Sequence, residues 1–447
     1  MNGPTGPSPG ERHPGTGPDR PAPPTPESVD RVDGADLDLL VIGGGIQGAG
    51  VLQAAAAAGL RAGLVERREA AIGTSSRSSK LIHGGLRYLE TLQLRLVAAS
   101  LAERRILLGI APHLVRLVPF HIPVHRDASR SRWTIRAGLS LYALLGRLDS
   151  TALFSSLPRR EWAGLDGLDT RDLRAVFRYF DGQTDDAALC RAVLSSAVDL
   201  GALADAGAEV TRAERDGDGW RIHFLRAGSE RSARARVVVN ASGPWANRVN
   251  ALASPSPPIC EVDLVGGTHV EIEGELRRGI YYTEARSDRR AVFSIPWRGR
   301  IMIGTTERVF EGDPAGVSPT AEEIDYLLGV HRRYFPESRG DLVDSWAGLR
   351  VLPRAAGDAF SRPRDVIFQK DDARAPSWLT VYGGKLTGYR HTAAEVLEEV
   401  RGSLPPRVAR RAAPPRARSR RWASGGSTCV GTAPWCRPSQ QTYRRAW

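Results

Sequence analysis

Lysine is nearly missing from this 447-residue chain: Lys80, Lys370 and Lys385 are the only three, and arginine carries almost all the positive charge. A lysine kept against that preference stands out, and Lys80 and Lys385 both sit inside glycine-bearing motifs. Cysteine is scarce as well. Cys190, Cys260, Cys429 and Cys436 are scattered with no C-x-x-C pair, which supports neither a zinc site nor a dithiol redox motif and suits a reducing cytoplasm. No apolar run approaches the roughly twenty residues that span a bilayer. The N-terminus lacks the basic-then-apolar order of a signal peptide. Neither H-E-x-x-H nor a Walker lysine pattern occurs, so metalloprotease and P-loop readings have no support, and no metal is expected.

The formal net charge of +12 suggests a polyanion partner, but its location argues otherwise. Residues 401–447 hold 11 arginines and no Lys, Asp or Glu, and taking those 11 from the net +12 leaves +1 for all that precedes. The body is nearly neutral, so no nucleic-acid surface is implied. At the other end, residues 1–34 contain nine prolines and six glycines with no apolar periodicity, and residues 1–35 read as a disordered extension.

The stretch that organises the chain is DLLVIGGGIQGAGVLQAAAAAGLRAGLVER, from Asp38 to Arg67. Asp38 to Ile42 is a short β-branched strand. Gly43, Gly45 and Gly48 follow in G-x-G-x-x-G spacing and open an Ala-rich helix that ends near Gly59, and a second strand, Ala62 to Val65, finishes on Glu66. Gly43 allows the tight turn, Gly45 the approach of a pyrophosphate, and Gly48 close packing of helix on strand. The helix N-terminus offers free N–H groups to an anion. Glu66 suits a ribose 2′-hydroxyl and disfavours a 2′-phosphate. Glycines alone would be weak evidence; strand, glycines, helix, strand and acid in order make a dinucleotide site, without separating NAD from FAD.

The segment that follows, GTSSRSSKLIHGGLRYLE (Gly73 to Glu90), resembles the signature of FAD-dependent glycerol-3-phosphate dehydrogenases. ASGPWAN from Ala241, VGGTHV from Val265, SWAGLRVLP from Ser345, RPRDVIF from Arg362 and VYGGKLTGYR from Val381 continue the resemblance to about Val400. It implies an α/β flavoprotein of D-amino-acid-oxidase-like fold, with a Rossmann-like FAD-binding domain and a mixed-sheet substrate domain. The FAD-binding segments would be about 36–105, 175–258 and 345–400, and the substrate segments about 106–174 and 259–344. The family continues with a helical C-terminal domain, whereas residues 401–447 have no helical periodicity and read as a truncated gene model or a wrong reading frame, an unstructured basic tail.

What the resemblance implies is oxidation of sn-glycerol 3-phosphate to dihydroxyacetone phosphate by hydride transfer to FAD. Electrons would pass to a membrane quinone in glycerol catabolism, by a cytoplasmic protein with peripheral membrane contact left open, as is a homodimer. The cofactor residues would be Gly43, Gly45, Gly48, Glu66, Thr74, Ser75, Ser76, Lys80, Gly243, Gly383, Gly384, Lys385, Leu386 and Thr387. A helix starting near Leu386 would aim its N-terminus at the flavin. Arginine is the residue for a dianionic phosphate, being planar and always charged, and the candidates are Arg87, Arg350 and Arg364, with Tyr88 adding a hydroxyl. Histidine can take the hydroxyl proton; His269 is the first candidate base and His83 the second.

Other features carry plainer readings. LRLVAASLAERRILLGIAPHL reads as a core helix, and Ile135 to Leu148 as an amphipathic helix that favours core packing over membrane contact. Asp185 and Asp186 read as a helix-capping pair. Pro123 breaks any helix that would align His121 and His125 as metal ligands. Two further readings stay open: a related flavin oxidase of an amino or hydroxy acid, and an inactive flavin-binding remnant.

Overall fold

The computed structural model describes residues 32–405 apart from 91 and 355–365. Arg364 and the 401–447 tail beyond residue 405 therefore lie outside the described residues. Val32 is fully buried and its N–H donates to Asp205 at 3.0 Å. Packed chain thus reaches into the extension expected to end at residue 35.

The first sheet is built on parallel strands. Asp36–Ile42 lies between Ala62–Glu66 and Ser229–Asn240, with Leu203–Ala206 and Trp378–Tyr382 extending the parallel set. Leu37 to Ile42 are all buried, as strands covered on both faces require. Helices Ile46–Ala57, Asp186–Asp199 and Tyr389–Glu399 cover one face through Val51, Leu52, Ala197 and Val396. The other face is packed by antiparallel strands Ala208–Asp216 and Gly219–Arg226, whose Val210, Trp220, Ile222 and Phe224 close on Leu37 and Leu40. Their hairpin turns at Gly217-Asp218, with Gly217 at φ +63°.

The second sheet is antiparallel apart from one pair. Val262–Glu273 is paired along its length with Leu342–Pro353 and at its end with Arg300–Gly304. Val115–His125, Leu173–Thr184 and the short Leu81–Ile82 carry the sheet to its far edge. Helix Ala321–Tyr334, opened by a Thr320/Glu323 capping box, packs one face. Helices Leu94–Ile110 and Arg132–Leu145 pack against another part of the sheet through Val97, Leu101, Leu139 and Tyr142.

His269 sits in the middle of its strand, because the whole Val262–Glu273 run finds a partner. Three local expectations change. The segment boundaries expected at 175 and 345 fall inside Leu173–Thr184 and Leu342–Pro353, both strands of the second sheet. The helix expected from Leu386 begins at Tyr389, after a glycine-rich turn. Asp185 does cap its helix, accepting from Ala188 N–H at 2.9 Å, but Asp186 has another use.

Asp186 is fully buried and pairs with Lys80 Nζ at 2.7 Å, while its second oxygen accepts from the Ser78 N–H and hydroxyl. Asp181, 1 % exposed, binds Arg104 at 2.6 Å and accepts from the Tyr142 hydroxyl at 2.9 Å. Both carboxylates hold the Gly73–Glu90 segment, which passes from the first sheet to the second.

Removing one partner of such a pair leaves an uncompensated buried charge. Asp181→Ala is expected to cost about 3–5 kcal/mol in urea unfolding, whereas replacing Arg104 and Asp181 together by Met and Leu recovers most of the loss.

Candidate active site

A cavity of 580 Å³ is lined from both sheets. One wall is the end of the parallel sheet. Gly43 turns the chain at φ +112°, and a Cβ there would stand 2.7 Å from the Ala241 carbonyl oxygen; a Cβ on Gly48 would stand 1.9 Å from that of Gly43. Only glycine fits either place. The following helix leaves its first N–H groups without intrahelical partners, and one of them, on Ile46, donates to Ser75 Oγ at 2.9 Å. Glu66 borders the cavity with its carboxylate accepting from Gly44 N–H at 2.7 Å and Arg68 N–H at 2.9 Å. A glycine cradle too tight for any Cβ, a helix N-terminus and an acid at the next strand end fit the pyrophosphate and ribose of a dinucleotide.

Two distant segments complete this half. Gly243 borders the cavity at φ +57°, and Gly383 to Thr387 border it with Gly383 and Gly384 at φ +81° and +96°. The Gln47 side-chain amide donates to the Lys385 carbonyl at 3.1 Å and so ties the first glycine loop to the last. Thr74 and Ser75 also border the cavity, Thr74 donating to the Leu349 carbonyl at 2.7 Å. Ser76 and Lys80 do not border it. The Ser76 hydroxyl turns back to the Gly73 carbonyl, and the Lys80 ammonium is taken by Asp186 and the Ser76 carbonyl. The first glycine motif's Gly48 acts through packing, away from the lining.

The other half gathers His83, Arg87, Tyr88, His269 and Arg350 around one space. Arg350 Nη1 contacts the carboxylate of Glu307, and Arg87 Nη2 lies 3.7 Å from the same oxygen. Glu307 is 5 % exposed at its side chain, behind the two guanidiniums. A Cβ on Gly267 would come within 3.1 Å of Arg350 Nη2, so the missing side chain makes room for the guanidinium. Lys385 Nζ lies 4.0 Å from the centre of the Tyr88 ring. Three cations against one carboxylate leave this end positive, which suits a dianion.

The turn that delivers His83 and Arg87 is fixed from beneath. Gly84 N–H donates to Asp181 Oδ1 at 3.2 Å and to the Tyr142 hydroxyl at 3.1 Å, and Gly85 adopts φ +74°. The sequence reading did not find Asp181, Tyr142, Glu307, Gln47 or Ser79. Glu307 follows Gly-Thr-Thr in no recognisable motif, and only the strand pairing brings it between two arginines.

His269 is 2 % exposed. Its ring stacks on Trp346 at 5.7 Å and 13°, and Nε2 lies 2.9 Å from Ser79 Oγ. Burial, with Arg350 and Lys80 adding repulsion, pushes its pKa down to about 3. His121 and His331 are likewise buried and held down to about 4, again mainly by burial. All three are neutral in the native state near neutrality and gain a proton on unfolding below about 6.5. Stability is therefore full above the unfolded value and falls as pH drops toward 4, by about 1.4 kcal/mol per pH unit for each histidine. Urea unfolding at pH 7 and pH 5 is expected to show this loss, and His269→Asn to lessen it.

The family model described as FAD dependent oxidoreductase matches residues 38–389. The glycerol-3-phosphate dehydrogenase of Pseudomonas aeruginosa is 40 % identical over 81 % of this chain and 71 % of its own length. The D-erythritol 1-phosphate dehydrogenase of Brucella abortus is 37 % identical over 82 % of this chain and 74 % of its own. A solved glycerol-3-phosphate dehydrogenase of Bacillus halodurans, complexed with FAD, superposes with a TM-score of 0.65 at 29 % identity, covering 82 % of this chain and 64 % of that one. The glycine cradle, the acid at Glu66 and the two-sheet body agree with that match: the chain is an FAD-dependent oxidoreductase, a member of the FAD dependent oxidoreductase family, with the D-amino-acid-oxidase-like fold.

Proposed function

We propose that this enzyme oxidises sn-glycerol 3-phosphate at C2 to dihydroxyacetone phosphate. The observation that carries the reading is the convergence of Arg87 and Arg350 on Glu307 at the cavity wall, with Lys385 opposite on Tyr88. A carboxylate substrate needs one bidentate arginine; two guanidiniums and an ammonium match a phosphate dianion. The names of the curated relatives support the same substrate class, a short polyol phosphate.

FAD, when bound, accepts the C2 hydrogen as hydride. Gly43, Gly45, Glu66, Ser75, Gly243 and the Gly383–Thr387 segment, all lining the cavity, would hold it. Arg87 and Arg350 hold the phosphate and so orient C2, and Arg364 is a third candidate from outside the described residues. Glu307 fixes the orientation of both guanidiniums. His269 takes the hydroxyl proton, with His83 as the second candidate.

Electrons pass on to a quinone at the membrane surface. Among the described residues no helix is long and apolar enough to cross a membrane. Helix Arg132–Leu145 does present Trp133 and Leu144 at 66 % and 61 % exposure beside Arg132 and Arg136, which supports peripheral contact.

The deciding experiment is an anaerobic visible spectrum of the FAD-loaded protein. Bleaching of the flavin bands by glycerol 3-phosphate and not by amino acids is expected. Bleaching by amino acids with peroxide release in air would favour the oxidase reading, and a protein that holds no flavin would favour the remnant. Arg350→Met is expected to raise KM for glycerol 3-phosphate about 30-fold or more, as losing a buried charge-assisted contact does.

A further inference from the structure

We infer that Ser79 is a catalytic residue whose hydroxyl carries the substrate's hydroxyl proton to His269, so that the buried imidazole acts through it. The inference rests on the function proposed above.

Three observations carry it. Ser79 borders the cavity and its Oγ lies 2.9 Å from His269 Nε2, so a proton has a short path between them. The imidazole cannot swing out to meet a substrate itself. It is stacked on Trp346, and a Cβ on Gly304 would fall 2.2 Å from its Cδ2. Finally, His269 Nδ1 is buried with no hydrogen-bond partner among the described residues. No carboxylate or carbonyl there fixes the tautomer, so Nε2 is the nitrogen through which the ring exchanges a proton with the cavity.

The step balances as follows. The C2 hydroxyl gives its proton to Ser79 Oγ while the Ser79 proton passes to His269 Nε2. The C2 hydrogen leaves with its electron pair to FAD, and the C2–O bond becomes a carbonyl. Burial, and after it Arg350 and Lys80, oppose a charge on His269. A phosphate dianion on Arg350 offsets that arginine's share, so the ring gains basicity when substrate is in place.

The test is anaerobic stopped-flow reduction of FAD-loaded Ser79→Ala, His269→Asn and the double variant by glycerol 3-phosphate. Ser79→Ala is expected to slow the limiting rate about 10²–10³-fold, with substrate Kd held within about threefold of wild type. The double variant is expected to be no slower than the slower single, because the two residues act as one unit. An unimpaired Ser79→Ala, or single losses that multiply in the double, overturns the relay while wild-type reduction stands. A Ser79→Ala protein that cannot retain FAD overturns it in favour of a cofactor-holding role. A wild type that glycerol 3-phosphate does not reduce overturns the functional reading and the relay with it.

Discussion

The ion pair of Lys80 with Asp186, 2.7 Å long with side chains 8 % and 0 % exposed, is the constraint from which the site hangs. Two charges this deep gain little net stability over a packed apolar pair. What they give is position: Lys80 adopts φ +60°, an unfavoured conformation for a side-chain-bearing residue, and the ion pair and the Ser76 carbonyl hold it there. With Lys80 fixed, Ser75 reaches the glycine helix on one side and Ser79 meets His269 on the other. Asp181 then holds the far end of the same segment at Gly84.

In the proposed function, cofactor and substrate would meet along one strip of chain. Its first residues touch the nucleotide-binding loop, its middle crosses between sheets, and its last residues supply Arg87 and Tyr88. Tyr88 in turn carries Lys385 from the segment beside Gln47. A small displacement of the strip would move catalytic and binding groups together, which is why glycine at 84 and 85, with Leu101, Tyr142 and Tyr88 packed against them, leaves no slack.

The sequence made some of this legible. A nearly continuous apolar run, three spaced glycines and a trailing acid have few uses other than a dinucleotide-binding strand–helix–strand unit, and the packing around Gly43 and Gly48 agrees. Arg87 and Arg350 stood in strings whose neighbours were informative. Other features could not be read because their meaning is tertiary. Asp186 looks like a cap in one dimension, and only folding places it against a lysine 106 residues earlier. Ser76 and Lys80 lie in the right motif but turn away from the cavity, the Ser76 hydroxyl to the Gly73 carbonyl and the Lys80 ammonium to Asp186. Glu307 and Ser79 have no periodicity or spacing to mark them.

The bond from Gln47 to the Lys385 carbonyl spans 338 residues. The first glycine loop is therefore synthesised 338 residues ahead of its counterpart. Pairings this remote close slowly, because loop entropy must be overcome before the contact rewards it. A nascent chain exposes a half-built nucleotide site until that counterpart is made, and FAD, by binding only the closed form, would act as the ligand that draws the Trp378–Tyr382 strand and Tyr389–Glu399 helix into place.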